Sequence, residues 1–325
     1  MKNQANRKLI SNTVFLYLMT TSIQILNLLT VPYLSRVLGP TEYGQIGLAL
    51  GYMAYVQIIL DFGFTLYATK KISENKTDKC KIEYIITAVT FIKVILAVCL
   101  GVVFLLFLYI NVFDVTLMTI LQVYLLGYLI TALLPDFYYR GMENMKSIAL
   151  RTLIVRVLFT LLIFLCVRKK EDIMFVPVCF LVGSILAFII TAADIRWKKQ
   201  ITFRWPGRKY VMSMVRSAFP YFTSRFASTF YQALNVIIIG KIYGTAPEVG
   251  YYTSSDKCLS LVKMGSSPIA DSLYPYMLNH KNYRLIKRLL GFVMPIITVG
   301  VIIIGIYAEP ICEFVFGDGY AESRA

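Results

Sequence analysis

The sequence predicts an all-α integral membrane protein built as two parallel-repeat helix bundles, with six spans in the first and about three in an incomplete second. Three observations lead there. Of the 325 residues, 58% are hydrophobic and only 16% charged, far from the profile of a water-soluble domain. Apolar stretches of the ~20 residues needed to cross a ~30 Å bilayer core recur along the chain. The segment Leu38-Gly39-Pro40-Thr41-Glu42-Tyr43-Gly44 also has an echo in Tyr243-Gly244-Thr245-Ala246-Pro247-Glu248-Val249-Gly250. Gly39 maps to Gly244 at an offset of 205 and Gly44 to Gly250 at 206. In both places the turn joins one long apolar segment to another, which marks a unit used twice.

Taken in order, the first expected span covers 14–34, behind Lys2, Arg7 and Lys8. It is too long and too polar for a cleaved signal, with Gln24 and Asn27 inside it and no small-residue cleavage site after it. Spans at 44–64, 82–110, 115–134, 148–167 and 173–195 complete a six-helix lobe over residues 1–196. Residues 197–210 form a cytoplasmic interfacial linker in which Trp197 and Trp205, the only tryptophans, flank Ile201 and Phe203 among basic residues. A partial second lobe, 211–325, holds spans at 211–243, 250–276 and 285–307. Six is an even number, so the second unit re-enters the membrane in the same orientation, about an axis along the membrane normal. With the first copy as a ruler, two full copies need roughly 400 residues. The expectation is a truncated second lobe, and a chain that does not transport when expressed alone.

A net charge of +15 in a soluble chain would suggest nucleic acid, but the Lys and Arg residues alternate with the loops. The N-terminus and the loops at 70–81, 140–151, 196–209 and 281–288 hold 21 of them, against six in the loops between. The positive-inside rule therefore places the N-terminus in the cytoplasm. The one discordant loop, Arg168-Lys169-Lys170, is partly offset by Glu171 and Asp172. The six cysteines show neither CxxC nor metal-site spacing and mostly lie within spans, as apolar fillers do.

Little here supports catalysis. His280 is the only histidine, no acid pair has a plausible partner, no outer loop is large enough for a catalytic domain, and no Walker-type glycine loop is present. The reading is a non-enzyme without cofactor or metal. What the spans carry instead is polar residues at helical spacing: Thr13, Tyr17, Thr20, Gln24 and Asn27 in the first, Arg225, Ser228, Thr229, Gln232 and Asn235 in the seventh, and Asp256, Ser260, Lys263, Ser267 and Asp271 in the eighth. Under the repeat, Asn27 maps to Gln232 and Thr30 to Asn235. Lipid cannot satisfy such groups, so they face a watery cavity or one another. Neutral members can simply bond helix to helix. Charges cost at least ~2.5 kcal/mol at the bilayer centre, which singles out Arg225, Asp256 and Lys263, with Lys257 adjacent. Either a salt bridge between Arg225 and Asp256 or an anionic ligand accounts for Arg225. The candidate ligand-binding set is Arg225, Lys257, Lys263, Asp256, Gln24, Asn27, Gln232 and Asn235. Lys93 and Arg156 are intramembrane as well, with scope to snorkel or pair within the first lobe, and Asp61 reads as structural.

Four further segments stand out: Tyr33-Leu34-Ser35-Arg36-Val37-Leu38-Gly39-Pro40-Thr41-Glu42-Tyr43-Gly44, Asp61-Phe62-Gly63-Phe64, Glu248-Val249-Gly250-Tyr251-Tyr252 and Phe316-Gly317-Asp318-Gly319-Tyr320. Together they resemble the motifs of the Wzx-type polysaccharide flippases of the multidrug/oligosaccharidyl-lipid/polysaccharide superfamily. Asp136-Phe137-Tyr138-Tyr139-Arg140-Gly141-Met142-Glu143 is similar to a further segment that usually has Trp at Phe137 and Gln at Arg140. The resemblance implies a V-shaped pair of lobes alternating between inward and outward openings in a bacterial cytoplasmic membrane. The implied cargo is an undecaprenyl-diphosphate-linked oligosaccharide, moved for O-antigen, capsule or exopolysaccharide synthesis, with membrane lipids and polysaccharide-assembly proteins as further partners. The rivals are a cation-coupled multidrug extruder, which typically has a carboxylate in the first span where 14–34 has none, and a polytopic polysaccharide polymerase or ligase, which needs a large reactive outer loop.

Overall fold

The computed structural model describes residues 21–23, 25–27, 29–110, 114–244, 246–256 and 298, with the backbone alone at 231–233. Every regular element among them is helical. The order is α1 (within 21–38), α2 (Pro40–Asp61), α3 (Phe64–Glu74), α4 (Lys79–Ile110), α5 (Val115–Ala132), α6 (Asp136–Gly141), α7 (Met145–Cys166), α8 (Phe175–Ala193), α9 (Arg208–Tyr243) and α10 (247–256). Five stretches are long and apolar enough to cross a membrane: Pro40–Glu74, Lys79–Ile110, Val115–Gly141, Met145–Cys166 and Lys170–Lys198. They coincide with the second to sixth expected spans, so this is a multi-pass, all-α membrane protein. The first expected span is described only from residue 21 onward. The eighth is described only as far as Asp256, and the ninth, apart from Thr298, lies outside the described residues, as do His280, Cys258, Cys312 and the 316–320 motif.

Local chemistry sets the breaks. Gly39, at φ 81°, turns the chain and Pro40 starts α2, where its missing N–H costs nothing. α2 ends when Phe62 takes a left-handed conformation and returns its N–H to Ile58 O at 3.0 Å. Asp61 then accepts from the Thr65 N–H at 3.2 Å and from the Thr65 hydroxyl, capping α3. Gly63, at φ 73°, is pressed on α9 so closely that a Cβ there would lie 2.6 Å from Phe222 N. At the start of α4, Asp78 accepts from the Lys81 N–H at 3.1 Å, and these bonds hold its carboxyl below the usual range.

Two cores form inside this frame. At the end with few basic residues, Leu38, Met53, Leu60, Leu108, Ile120 and Leu121 from α1, α2, α4 and α5 pack together with Ile163 and Val176. At the basic end, Phe64, Ile72, Ile85, Ile86 and Phe137 pack with Met214 and Ala218, so the first half of α9 beds into the same core as α3, α4 and α6. α9 runs 36 residues, about 54 Å at 1.5 Å per residue, and among the described side chains Leu234–Tyr243 is its apolar stretch. Pro220, inside it, removes one intrahelical bond just where the helix leaves that core.

The two copies of the repeated turn touch. A Cβ on Gly44 would lie 2.6 Å from Gly250 N, one on Gly250 only 2.0 Å from Pro40 O, and one on Gly47 just 2.2 Å from Thr253 Oγ1. Gly44 and Gly250 are the pair matched by the sequence echo, and Gly47 and Thr253 share its offset of 206. A third close approach, Gly240 against Leu48, extends this seam between α2 and the α9–α10 corner.

Candidate functional site

Between α9 and the helices of the basic half lies a cavity of about 350 Å³, within the size range of ligand pockets. α2 contributes Ala54, Gln57, Ile58 and Asp61; α4 contributes Lys93; α5 contributes Tyr128, Thr131 and Ala132; α6 contributes Asp136 and Arg140; α9 contributes Phe222, Arg225 and Thr229. Three cations and two carboxylates thus share one chamber.

The carboxylates are already committed. Asp136 accepts from Arg151 at 2.7 Å, and Arg151 also donates to Thr191 at 2.9 Å, which ties α6 to α7 and α8. Asp61 is held by Thr65. The cations are less well served. Lys93 is only 5% exposed, its Nζ sits 5.7 Å from the centroid of the Phe137 ring, and it makes no ion pair among the described residues. Nε of Arg140 is buried without a hydrogen-bond partner. Arg225, exposed on α9, has its backbone carbonyl engaged by Ser228 at 2.9 Å. Buried donors without acceptors carry a desolvation penalty of about 1 to 3 kcal/mol, more when charged, and an anion relieves it.

The 136–143 segment explains how Arg140 comes to face inward. Leu133 and Leu134 end α5, and α6 then folds back against α3. Tyr139 donates to Asp194 at 2.7 Å, Glu143 pairs with Lys76, and a side chain on Gly141 would meet Ile72 at 2.6 Å. These contacts fix the short helix with Asp136 and Arg140 toward the chamber.

Of the residues singled out from sequence, Arg225 lines the cavity and Thr229 of the same stripe stands beside it. Asn235 is half-buried farther along α9, outside the lining, and Gln232 is described in backbone only. Asn27 is elsewhere: it accepts from Arg156 of α7, whose guanidinium also lies 5.4 Å from the Phe159 ring, and Arg156 borders a second cavity of about 180 Å³ lined by α1, α5, α7 and α8. Thr30 approaches Thr160 at 3.4 Å on the same interface. Asp256 ends the described part of α10 and makes no ion pair with Arg225. Gln24, Lys257 and Lys263 lie outside the described residues. The chamber adds Lys93, Arg140, Asp61 and Asp136. The signal available for Asp61, Asp136 and Arg140 was their place in the 61–64 and 136–143 motifs, and for Lys93 its charge inside an apolar span.

Comparison with known proteins agrees with this architecture. The sequence matches the family described as "Polysaccharide biosynthesis protein" over residues 9–281. A protein of Escherichia coli strain K12 named "Putative O-antigen transporter" is 28% identical over 278 residues, 81% of this chain and 63% of its own length. A Shigella dysenteriae protein of the same name is 22% identical over 280 residues, 86% of this chain and 69% of its own. The chain therefore spans just under two thirds of the E. coli relative. A solved structure described as "Inward-facing conformation of a multidrug resistance MATE family transporter of the MOP superfamily" superposes with a TM-score of 0.67 at 16% identity, over 93% of this chain and 76% of that one, which establishes a shared fold. The chain belongs to the polysaccharide biosynthesis protein family, in agreement with the Wzx-type resemblance of its motifs.

Proposed function

We propose that the protein is a lipid-linked oligosaccharide flippase. It moves undecaprenyl-diphosphate-linked repeat units across the bacterial cytoplasmic membrane by alternating access of two parallel six-helix lobes, with its N-terminus in the cytoplasm. The observation that carries this reading is the chamber in which Lys93, Arg140 and Arg225 converge while the two carboxylates are held by Arg151 and Thr65. A diphosphate supplies the acceptors these cations lack: guanidinium forks bind phosphate oxygens in pairs and the ammonium adds a point charge. Tyr128, Thr131, Gln57 and Thr229 offer hydroxyls and an amide to the adjoining sugar. No bond is made or broken in such a step, in keeping with transport rather than catalysis. The O-antigen transporters named above support the substrate class.

The test is export in a bacterial host that lacks its own polysaccharide flippase. The natural gene should restore surface polymer, and Arg225→Ala should cut it 10- to 150-fold at unchanged membrane abundance, with Arg225→Lys intermediate because it keeps charge and loses the fork. Drug resistance without polymer would overturn the reading in favour of a multidrug extruder.

A further inference from the structure

The stretch from Asp194 to Tyr210 is more than a connection. Ile195 and Ile201 are buried in the basic-end core, and the Ile201 N–H returns to Ile195 O at 3.2 Å. Glu83 of α4, itself only 4% exposed, accepts from the Thr202 N–H at 3.0 Å and from Arg204 Nε at 3.1 Å. Thr87 takes the Arg204 N–H at 3.0 Å. The chain thus climbs α4 in a fixed register and delivers Trp205 edge-on to Phe91, with ring centroids 4.7 Å apart.

Held this way, the segment turns large apolar groups outward. Trp197 is 77% exposed, Phe203 66% and Trp205 51%. Beyond Phe91 the exposed face of α4 continues through Val94, Ile95 and Val98, so the aromatic patch is continuous with a surface that faces lipid. Lipid therefore covers it. Around the aromatics stand Arg196, Lys199, Arg208 and Lys209, none paired with a carboxylate among the described residues, while Asp194 is occupied by Tyr139 and Lys198. Aromatic rings at the level of the headgroups, ringed by unneutralised cations on long stems, match an anionic phospholipid with both its phosphate and its upper acyl chain.

We propose that the Asp194–Tyr210 segment, clamped to α4 by Glu83, is a binding site for anionic phospholipid, separate from the transport cavity and independent of its cargo.

The chain's two tryptophans both lie in this segment, so intrinsic fluorescence reports on it without labels. The chain is reconstituted in nanodiscs of phosphatidylcholine and phosphatidylglycerol, with one or the other lipid brominated near the headgroup end of its acyl chains. Each basic residue near an anionic surface is worth about fivefold in local enrichment at low salt. Quenching by brominated phosphatidylglycerol should therefore exceed that by brominated phosphatidylcholine several-fold at equal mole fraction. The excess should collapse in about 0.5 M salt, where screening is nearly complete within ~5 Å. Replacing Arg196, Lys199, Arg208 and Lys209 together by Gln should remove the preference while leaving total quenching intact. The salt titration of the unmodified protein decides the matter should that variant fail to insert. Equal quenching by the two lipids at low salt overturns the proposal in favour of a neutral aromatic anchor. Quenching by aqueous iodide and by neither lipid overturns it in favour of a surface for a soluble partner.

Discussion

The α2 helix makes two kinds of contact with the α9–α10 hairpin, and the two could hardly differ more. Near its start, Gly44 and Gly47 meet Gly250 and Thr253 at distances that leave no room for a single added carbon. Toward its end, Ala54, Gln57 and Asp61 stand back from Arg225 and Thr229 across a chamber of about 350 Å³. One contact is dry, close and built from absent side chains; the other is polar, open and built from charge. Small residues let membrane helices approach where no hydrophobic driving force exists, whereas ionised groups persist in a membrane only when a cavity or a ligand receives them. A helix that carries both can grip its partner at one end and leave space at the other.

The largest expected effect is at the seam. Gly44→Leu drives a side chain into the Gly250 backbone, which cannot rotate away, and should cost about 3 kcal/mol or more. In detergent-solubilised protein this is a fall in midpoint of roughly 6 to 12 °C, and an unchanged midpoint would break the seam half of the comparison. The exchange of Gly47→Thr with Thr253→Gly should recover most of what Gly47→Thr alone loses, since the bulk merely changes sides.

In the cavity, effects should divide by whether a partner is left behind. Asp136→Asn strands Arg151, which is 7% exposed. Because Asp136 is about one-third exposed, the loss should be about 2 kcal/mol, below the 3 to 5 of a fully buried pair. On the proposed role of Arg225, Arg225→Ala should lose a charge-assisted bond of about 1.5 to 3 kcal/mol, read as a 10- to 150-fold loss of export with stability unchanged. Neutralising Asp256 in addition should not rescue it, as the two are not paired; normal export by the double variant would reduce Arg225 to a brace. Lys93→Met is expected to go the opposite way in stability. It removes a buried ammonium that makes no close ion pair among the described residues, at the loss of one ring contact and of the longer-range pull of Asp61 and Asp136, and should gain up to about 1 kcal/mol while export falls. A destabilised Lys93→Met protein would mean that Lys93 is a structural post. The smallest readout orients both regions: a membrane-impermeant thiol reagent on intact cells should spare Cys80, beside the basic end, and strong labelling would turn the cavity to the outside.

Much of the frame was legible because hydropathy and length depend on nothing but sequence. Spans two to six fall where apolar runs of the right length lie, and the repeated turn was visible as a spaced pair of Gly-rich segments whose members prove to be in contact. The site was only partly legible, since periodicity gives a face but not what it faces. The stripe through Asn27 left open a cavity or bonds from helix to helix, and its described part bonds Arg156 and approaches Thr160 between α1 and α7. Arg140 read as a loop cation because the six residues of α6 are too few to show a period, and only tertiary contacts to Ile72, Lys76 and Asp194 fold them inward. Lys93 had scope to snorkel or to pair within the first lobe, and its Nζ stands over Phe137. The packing of Met214 and Ala218 of α9 against α3, α4 and α6 is tertiary and leaves no mark in the sequence.

The self-meeting of the repeated turn also bears on how this chain can drift. Where a position abuts its own duplicate, as Gly44 abuts Gly250 and Gly47 abuts Thr253, any gain in bulk on one side must be met by a loss on the other. Neutral change there has to proceed in couples separated by 206 positions, and an alignment of relatives should display covariation along that single diagonal, fading within a few turns of helix to either side.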